Sequence, residues 1–230
     1  MFLGKKIIVT NKMAIAIIAL LFGTFGLGMT PAYGNLVLYM PFDTISGTGT
    51  TPDLAGARDG KIMGNGVSID SNIAGALPSG GNALRFAGSD DFVETIFPGV
   101  LGDNARSLSF WINRDANNQG AVVSYGRNTG DQKWVTRRNN AGGNGTNGAI
   151  RTEVNGGYEI GSTVITNANV WRHVVMTWES DGSPNINEAK FYINGVLETN
   201  TGVNGQNVNT SGANPLQIGN DRFSGARDWD

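Results

Sequence analysis

The chain is cut into short pieces by glycine and asparagine, and that punctuation limits its fold more than any other feature. Glycine takes 34 of the 230 positions, about twice the usual ~7%. It gathers with asparagine where apolar runs stop, most densely in "NNAGGNGTNG", Asn139 to Gly148. Both residue types tolerate positive φ and close tight turns, so they end extended segments rather than continue them. Between the clusters lie segments rich in Val, Ile, Phe, Tyr, Trp and Thr. They include "LVLYMPF" (Leu36 to Phe42), "SLSFWIN" (Ser107 to Asn113) and "GAVVSYG" (Gly120 to Gly126). "RHVVMTWE" (Arg172 to Glu179), "AKFYING" (Ala189 to Gly195) and "LQIG" (Leu216 to Gly219) belong with them. Beyond residue 34 no stretch keeps apolar residues at i, i+3, i+4 and i+7 over three turns, so no long helix is expected. Many short strands with turn signals between them predict an all-β sandwich or jelly roll. In "FYINGVLET", Asn194-Gly195 offers the two positive φ angles of a type I′ turn, which predicts a hairpin there.

The first 34 residues read differently. They carry Lys5, Lys6 and Lys12 with no acidic residue, then an apolar run from Met13 to Leu27, then small residues with Ala32 and Gly34 before a cut. That order is the grammar of a secretory signal peptide. The run of 15 residues is short of the ~20 that span a bilayer, so cleavage is expected rather than retention as an anchor. With no cysteine in the chain, lipid attachment at a cysteine is excluded, and the exported domain would rest on packing or a metal ion rather than disulfides. Residues 35–230 then form one domain, secreted or periplasmic in a bacterium. It keeps 14 basic against 19 acidic residues once the three leader lysines are set aside. A net charge of that sign leaves no basic footprint for nucleic acid, and no membrane contact is expected after cleavage.

"VWRHVVMTWES", Val170 to Ser180, contains the only histidine. Read as a strand, it places Val174, Met176 and Trp178 on one face and Trp171, His173, Val175 and Thr177 on the other. His173 sits among hydrophobes, with no cysteine and no second histidine to share a metal. A general base needs a partner that orients it, and none is visible, so His173 is expected to be a packed wall residue. Trp111 and Trp178 are expected in the core.

Several segments together resemble the laminin-G-like jelly-roll domain of the concanavalin A-like lectin/glucanase superfamily. "LVLYMPFD" resembles its first strand and "DLAGARDGKI" its Asp-x-x-Gly turn. "GNALRFAGSDDFVE" (Gly81 to Glu94) is similar to the family's Ala-Leu-x-Phe-x-Gly-x-x-Asp-x-Val segment. "RSLSFWINRD" and "VWRHVVMTWES" resemble its aromatic-Trp and Trp-x-His-Val-x-x-Thr-Trp strands, "AKFYINGVLE" its hairpin and "LQIGNDRFSGARDWD" its closing approach. The resemblance covers residues 35–230 and implies a two-sheet antiparallel β-sandwich. The family's final Gly-x-Ile-Asp-Glu-Val-x-Ile-Tyr strand has no counterpart before Asp230, so the domain is expected to lack its last strand. An edge left unpaired in that way invites association.

The superfamily includes glucanases, and retaining hydrolysis needs two carboxylates about 5–5.5 Å apart. On this fold the resemblance implies Glu-x-Asp-x-x-Glu on one strand. Only Glu179-Ser180-Asp181 begins that pattern, and Pro184-Asn185 stands where its third member would fall. No catalytic residues are therefore assigned, although spacing does not address a pair drawn from separate strands. The resemblance instead implies a binding module for a polysaccharide or glycan surface. Aromatic rings would stack on sugar faces, with polar side chains on the hydroxyls. Trp134 in "DQKWVTRR", Tyr125, Tyr158 and Arg137 are the candidate contacts, and a core position for Trp134 stays equally open. The resemblance also implies one structural Ca²⁺ near Asp43; Asp90-Asp91 read as turn residues. A protein-interaction sandwich, or a polysaccharide hydrolase or lyase, is the alternative.

Overall fold

The computed structural model describes residues 36–71, 81–88, 90–113, 120–140, 144–165 and 170–224. The leader segment and the chain's last residues, to which the signal-peptide and missing-strand expectations refer, lie outside them. In chain order the strands are β1 (Thr50–Thr51), β2 (Gly60–Met63), β3 (Ser68–Asp70), β4 (Ala83–Arg85) and β5 (Phe92–Glu94). Then come β6 (Arg106–Ile112), β7 (Ala121–Gly126), β8 (Lys133–Arg138), β9 (Ile150–Val154) and β10 (Gly157–Ile160). β11 (Arg172–Trp178), β12 (Lys190–Ile193), β13 (Val196–Leu197), β14 (Gly202–Asn204) and β15 (Gln217–Ile218) complete the set. Among the described residues the sole helical piece is a 3₁₀ turn, Ile186–Glu188, whose Asn185 cap and Glu188 form a capping box.

Every ladder is antiparallel. A nine-stranded sheet runs β1-β2-β5-β15-β7-β8-β9-β10-β14, a four-stranded sheet runs β13-β12-β11-β6, and β3 and β4 pair separately. The two larger sheets pack face to face through one apolar core, as a jelly-roll sandwich does. Phe110, Val174, Met176, Trp178 and Phe191 enter it from the small sheet, and Val123, Trp134, Ile150 and Ile218 from the large one. The indoles of Trp134 and Trp178 meet edge to face, with centroids 6.2 Å apart, a geometry that adds about 0.5–1.5 kcal/mol beyond burial.

The alternation expected of the histidine strand is observed. Val174, Met176 and Trp178 are buried in the core, while Trp171, His173 and Thr177 are only half-buried and Val175, on their face, is buried at 6%. Trp111 is corrected. It shares the outer face with His173, its register partner on β11, because Phe110 and Ile112 take the inward positions of β6. "LVLYMPF" is also corrected: among the described residues it joins no ladder. Leu38, Met40 and Phe42 are fully buried, yet the backbone groups of Tyr39 bond to the following turn. Its N–H donates to Asp53 Oδ1 at 2.9 Å and its carbonyl accepts from Leu54 N at 2.8 Å. The Asp53 carboxylate also accepts the backbone N–H groups of Ala55, Gly56 and Arg58, which is why an aspartate stands there. Asp91 is likewise a turn residue, fully buried and accepting from Gly66, Ala87 and Gly88.

The Asn194-Gly195 turn has φ of 52° and 84° and pairs Ile193 with Val196. A Cβ on Gly195 would meet nothing within 4 Å, so substitution there strains only the backbone. Gly195→Val should therefore cost about 1–2 kcal/mol in urea unfolding. A cost near zero would show that the hairpin does not depend on the left-handed position.

Candidate functional site

The pleat of the large sheet puts alternate residues on its outer face, and the register joins them into one row across the strands. From edge to edge that row is Thr50, Lys61, Glu94, Gln217, Ser124, Val135, Glu153, Tyr158 and Asn204. Its centre is covered by the segment after β15. Ser124 Oγ donates to the Asn220 carbonyl at 2.7 Å and accepts from Arg222 N at 3.2 Å. Arg222 Nη2 reaches Glu94 at 3.0 Å. Beyond that cover, toward β10, lies a charged cluster.

Glu153 is its hub. One carboxylate oxygen accepts Lys133 Nζ at 3.3 Å, and the other accepts Arg137 at 3.1 and 3.2 Å and Arg151 Nε at 2.7 Å. Three cations thus surround one buried carboxylate, an arrangement of charge-assisted bonds that fixes each side chain's direction. The Arg151 guanidinium lies 4.0 Å from the ring centroid of Tyr158, and Asn144 Nδ2 donates to the Tyr158 hydroxyl. Tyr158 is half-buried. The hairpin β9–β10 carries Arg151, Glu153 and Tyr158 together. "AIRTEVNGGYEI" shows this hairpin by two β-prone runs around Asn155-Gly156, a signal that would have found Arg151 and Glu153.

The other sequence candidates fall elsewhere. Trp134 and Tyr125 are register neighbours, but both face the core, at 1% and 4% exposure. Neither can stack on a sugar, since on β8 the inner positions fall to Trp134 and Thr136 and the outer ones to Lys133, Val135 and Arg137. The buried Tyr125 hydroxyl accepts from Arg106 Nη1 at 2.9 Å, and burial pushes its ionisation above the usual 10.0. Arg137 does belong to the cluster. At 2% exposure, and with Nη1 donating to the Arg138 carbonyl, it orients Glu153 rather than reaching outward.

His173 is packed as a wall residue. Its Nε2 shares a 2.9 Å hydrogen bond with Ser109 Oγ, and its ring lies 5.1 Å from that of Trp111. Burial holds the imidazole below its ordinary 6.5. Asp43 is exposed, and its Oδ1 accepts the Asn82 backbone N–H at 2.9 Å. Among the described residues no three His, Cys, Asp or Glu side chains are placed to hold a metal.

Glu153 and Glu159 do not converge. Glu159 is buried on the inner face, opposite in direction to Glu153, because Glu159 pairs with Thr152 and Tyr158 with Glu153. Burial pushes its carboxyl up to about 7. Residues on opposite faces of a sheet cannot flank one glycosidic bond. Glu179 is exposed, and Asp181 Oδ1 accepts Ser183 N within a turn. Two cavities are present among others: one of about 40 Å³ in the core beside Arg106, and one of about 310 Å³ at the rim, lined by Asp103, Asp131 and Asn209. The first is too small for a sugar ring, and the second exposes only loop side chains.

Two antiparallel sheets around a single apolar core, with a mostly polar row on the outer face of the larger one, define a jelly-roll β-sandwich. The chain belongs to the concanavalin A-like lectin/glucanases superfamily: a laminin-G family model of that description matches residues 87–230. The match begins inside "GNALRFAGSDDFVE", so the two earlier resembling segments lie before it. No curated protein and no solved structure matches the chain.

Proposed function

We propose that this chain is an exported carbohydrate-binding module that carries out no reaction of its own. It would hold a polysaccharide or glycan surface on the outer face of its large sheet, between the closing segment and β14. The supporting observation is Tyr158, a half-buried aromatic ring placed in a row of polar side chains and held by Arg151 and Asn144. Sugar rings present apolar faces and hydroxyl edges, and a ring with polar neighbours answers both. The large sheet offers such a row at about 4.8 Å per strand, a spacing suited to successive sugar units.

Tyr158→Ala should weaken glycan binding at least tenfold on affinity electrophoresis, with the fold retained by circular dichroism. Wild-type protein that binds nothing on a broad glycan array would sink the reading. Sugar released from laminarin, agar or alginate would overturn its non-catalytic part. A second reading, a protein-binding sandwich, is favoured by Val196, Leu197 and Val203, exposed at 68%, 57% and 57% on edge strands β13 and β14. Glycan binding that survives Val196→Lys would decide for the sheet face.

A further inference from the structure

We infer that the ligand of this face is an acidic polysaccharide, and that Arg151 is the residue that recognises its anionic substituent. The inference rests on the binding-module reading above and names the class of sugar. Its first ground is charge. Among the described residues on or against the outer face, Lys61, Lys133, Arg151 and Arg222 are cationic, as is Arg137, buried against Glu153. Glu94, Glu153 and Asp221 are the anions, so the face is positive in a chain whose formal net charge is −2. Cations gathered on one face of an acidic protein raise the local concentration of an anionic partner.

The second ground is the geometry of Arg151. Its Nε is held at 2.7 Å by Glu153 Oε2, and its plane lies over the Tyr158 ring. Neither contact uses the two terminal amino groups, which make no bond among the described residues, and the side chain is 14% exposed. A guanidinium fixed at one edge and one face offers a pre-oriented fork, and that fork matches carboxylate or sulfate bidentately. Holding it in place before binding removes part of the ordering cost. Lys133, whose Nζ stands 6.0 Å from the Phe223 ring, adds a second charge where the closing segment ends the open strip. A neutral hexose offers them hydroxyl acceptors only, without the charge and paired oxygens of a carboxylate or sulfate.

The experiment compares polygalacturonate (carboxylated), ι-carrageenan (sulfated) and laminarin (neutral) by titration calorimetry at 20 and 500 mM NaCl. The expected result is tighter binding to at least one acidic polymer than to laminarin, weakened at least tenfold by salt. The two acidic arms tell carboxylate from sulfate. Arg151→Gln should lower acidic binding at least tenfold more than it lowers any laminarin binding, since Arg151 also holds the Tyr158 ring. Arg151→Lys, which keeps charge without the fork, should lose affinity but keep the salt dependence. Equal, salt-insensitive binding of all three polymers would overturn the inference and leave the binding module standing. Binding to none of them, with glycan-array hits confined to neutral sugars, would overturn it likewise; an array without hits would take the module reading down with it. The wild-type salt response needs no substitution, so misfolding of a variant does not shelter the idea.

Discussion

Replacing Arg106 with alanine is expected to destabilise the fold by about 4 kcal/mol, the largest single loss among polar residues. Arg106 opens β6 and turns inward at 6% exposure. Its Nη1 donates to the Val100 carbonyl, the Tyr125 hydroxyl and Thr210 Oγ1, each at 2.9 Å. Nε bonds the Asn104 carbonyl at 3.0 Å and Nη2 the Gly102 carbonyl at 2.8 Å. The guanidinium also lies 4.7 Å from the Trp134 ring centroid and 5.2 Å from that of Trp178. Truncation removes five charge-assisted bonds and two cation–π contacts. It leaves the buried Tyr125 hydroxyl without this donor, while Thr210 still serves the Val100 and Gly102 carbonyls. A buried group left unpaired costs roughly 1–3 kcal/mol. Partial entry of water would soften the sum, hence about 4 kcal/mol rather than more. Arg106→Lys should recover part of the loss, since it keeps charge but not the fork. Urea unfolding measures both; a loss below about 1 kcal/mol for alanine would show that the bonds are replaced by solvent.

Glu159→Gln is expected to stabilise the protein by on the order of 2 kcal/mol at pH 8 and to change nothing at pH 4. The carboxyl is buried at 2% exposure with Oε2 unpartnered among the described residues. Desolvation raises its pKa from 4.5 to about 7, and a hydrogen bond with Asn200 lowers it only in part. Between those values the unfolded chain has released the proton that the native state still holds. The native state therefore binds more protons there, and stability falls as pH rises through the window. Below about 4.5 both states are protonated and the burden is absent; above about 7 it is complete. Glutamine is neutral throughout and should flatten the curve. Thermal melts of both proteins from pH 4 to 8 test this, and parallel curves would show that Glu159 reaches water when it ionises.

Most of the strands were legible in the sequence because their cause is local. Alternating Val, Ile, Phe and Trp, stopped by glycine and asparagine, specify extended backbone wherever the segment ends up. The Asn194-Gly195 turn is specified by two adjacent residues, with Asn194 also bonded to His173 of the neighbouring strand. The first segment, Leu36 to Phe42, has the same composition but no ladder among the described residues, and the Asp53 turn supplies the backbone partners of Tyr39. The site was read less well. Tyr158 stands on the open face, whereas Trp134 and Tyr125, of similar context, do not. Arg151 and Glu153 went unnoticed because two charged residues in a strand look like an ordinary solvated face.

What the sequence determined by itself is the all-β class, the main strands and turns, and the pairing of positions into two faces along each strand. A period of two states which residues travel together and is silent on which set is covered. The tertiary structure decided that. Packing of the two sheets took Trp134 inward against Trp178, and the segment after β15 covered the middle of the opposite face. It also drew Arg106 into the interior through partners 19 and 104 positions away, Tyr125 and Thr210. Contacts of that reach depend on where whole strands lie, which no window of neighbouring residues records.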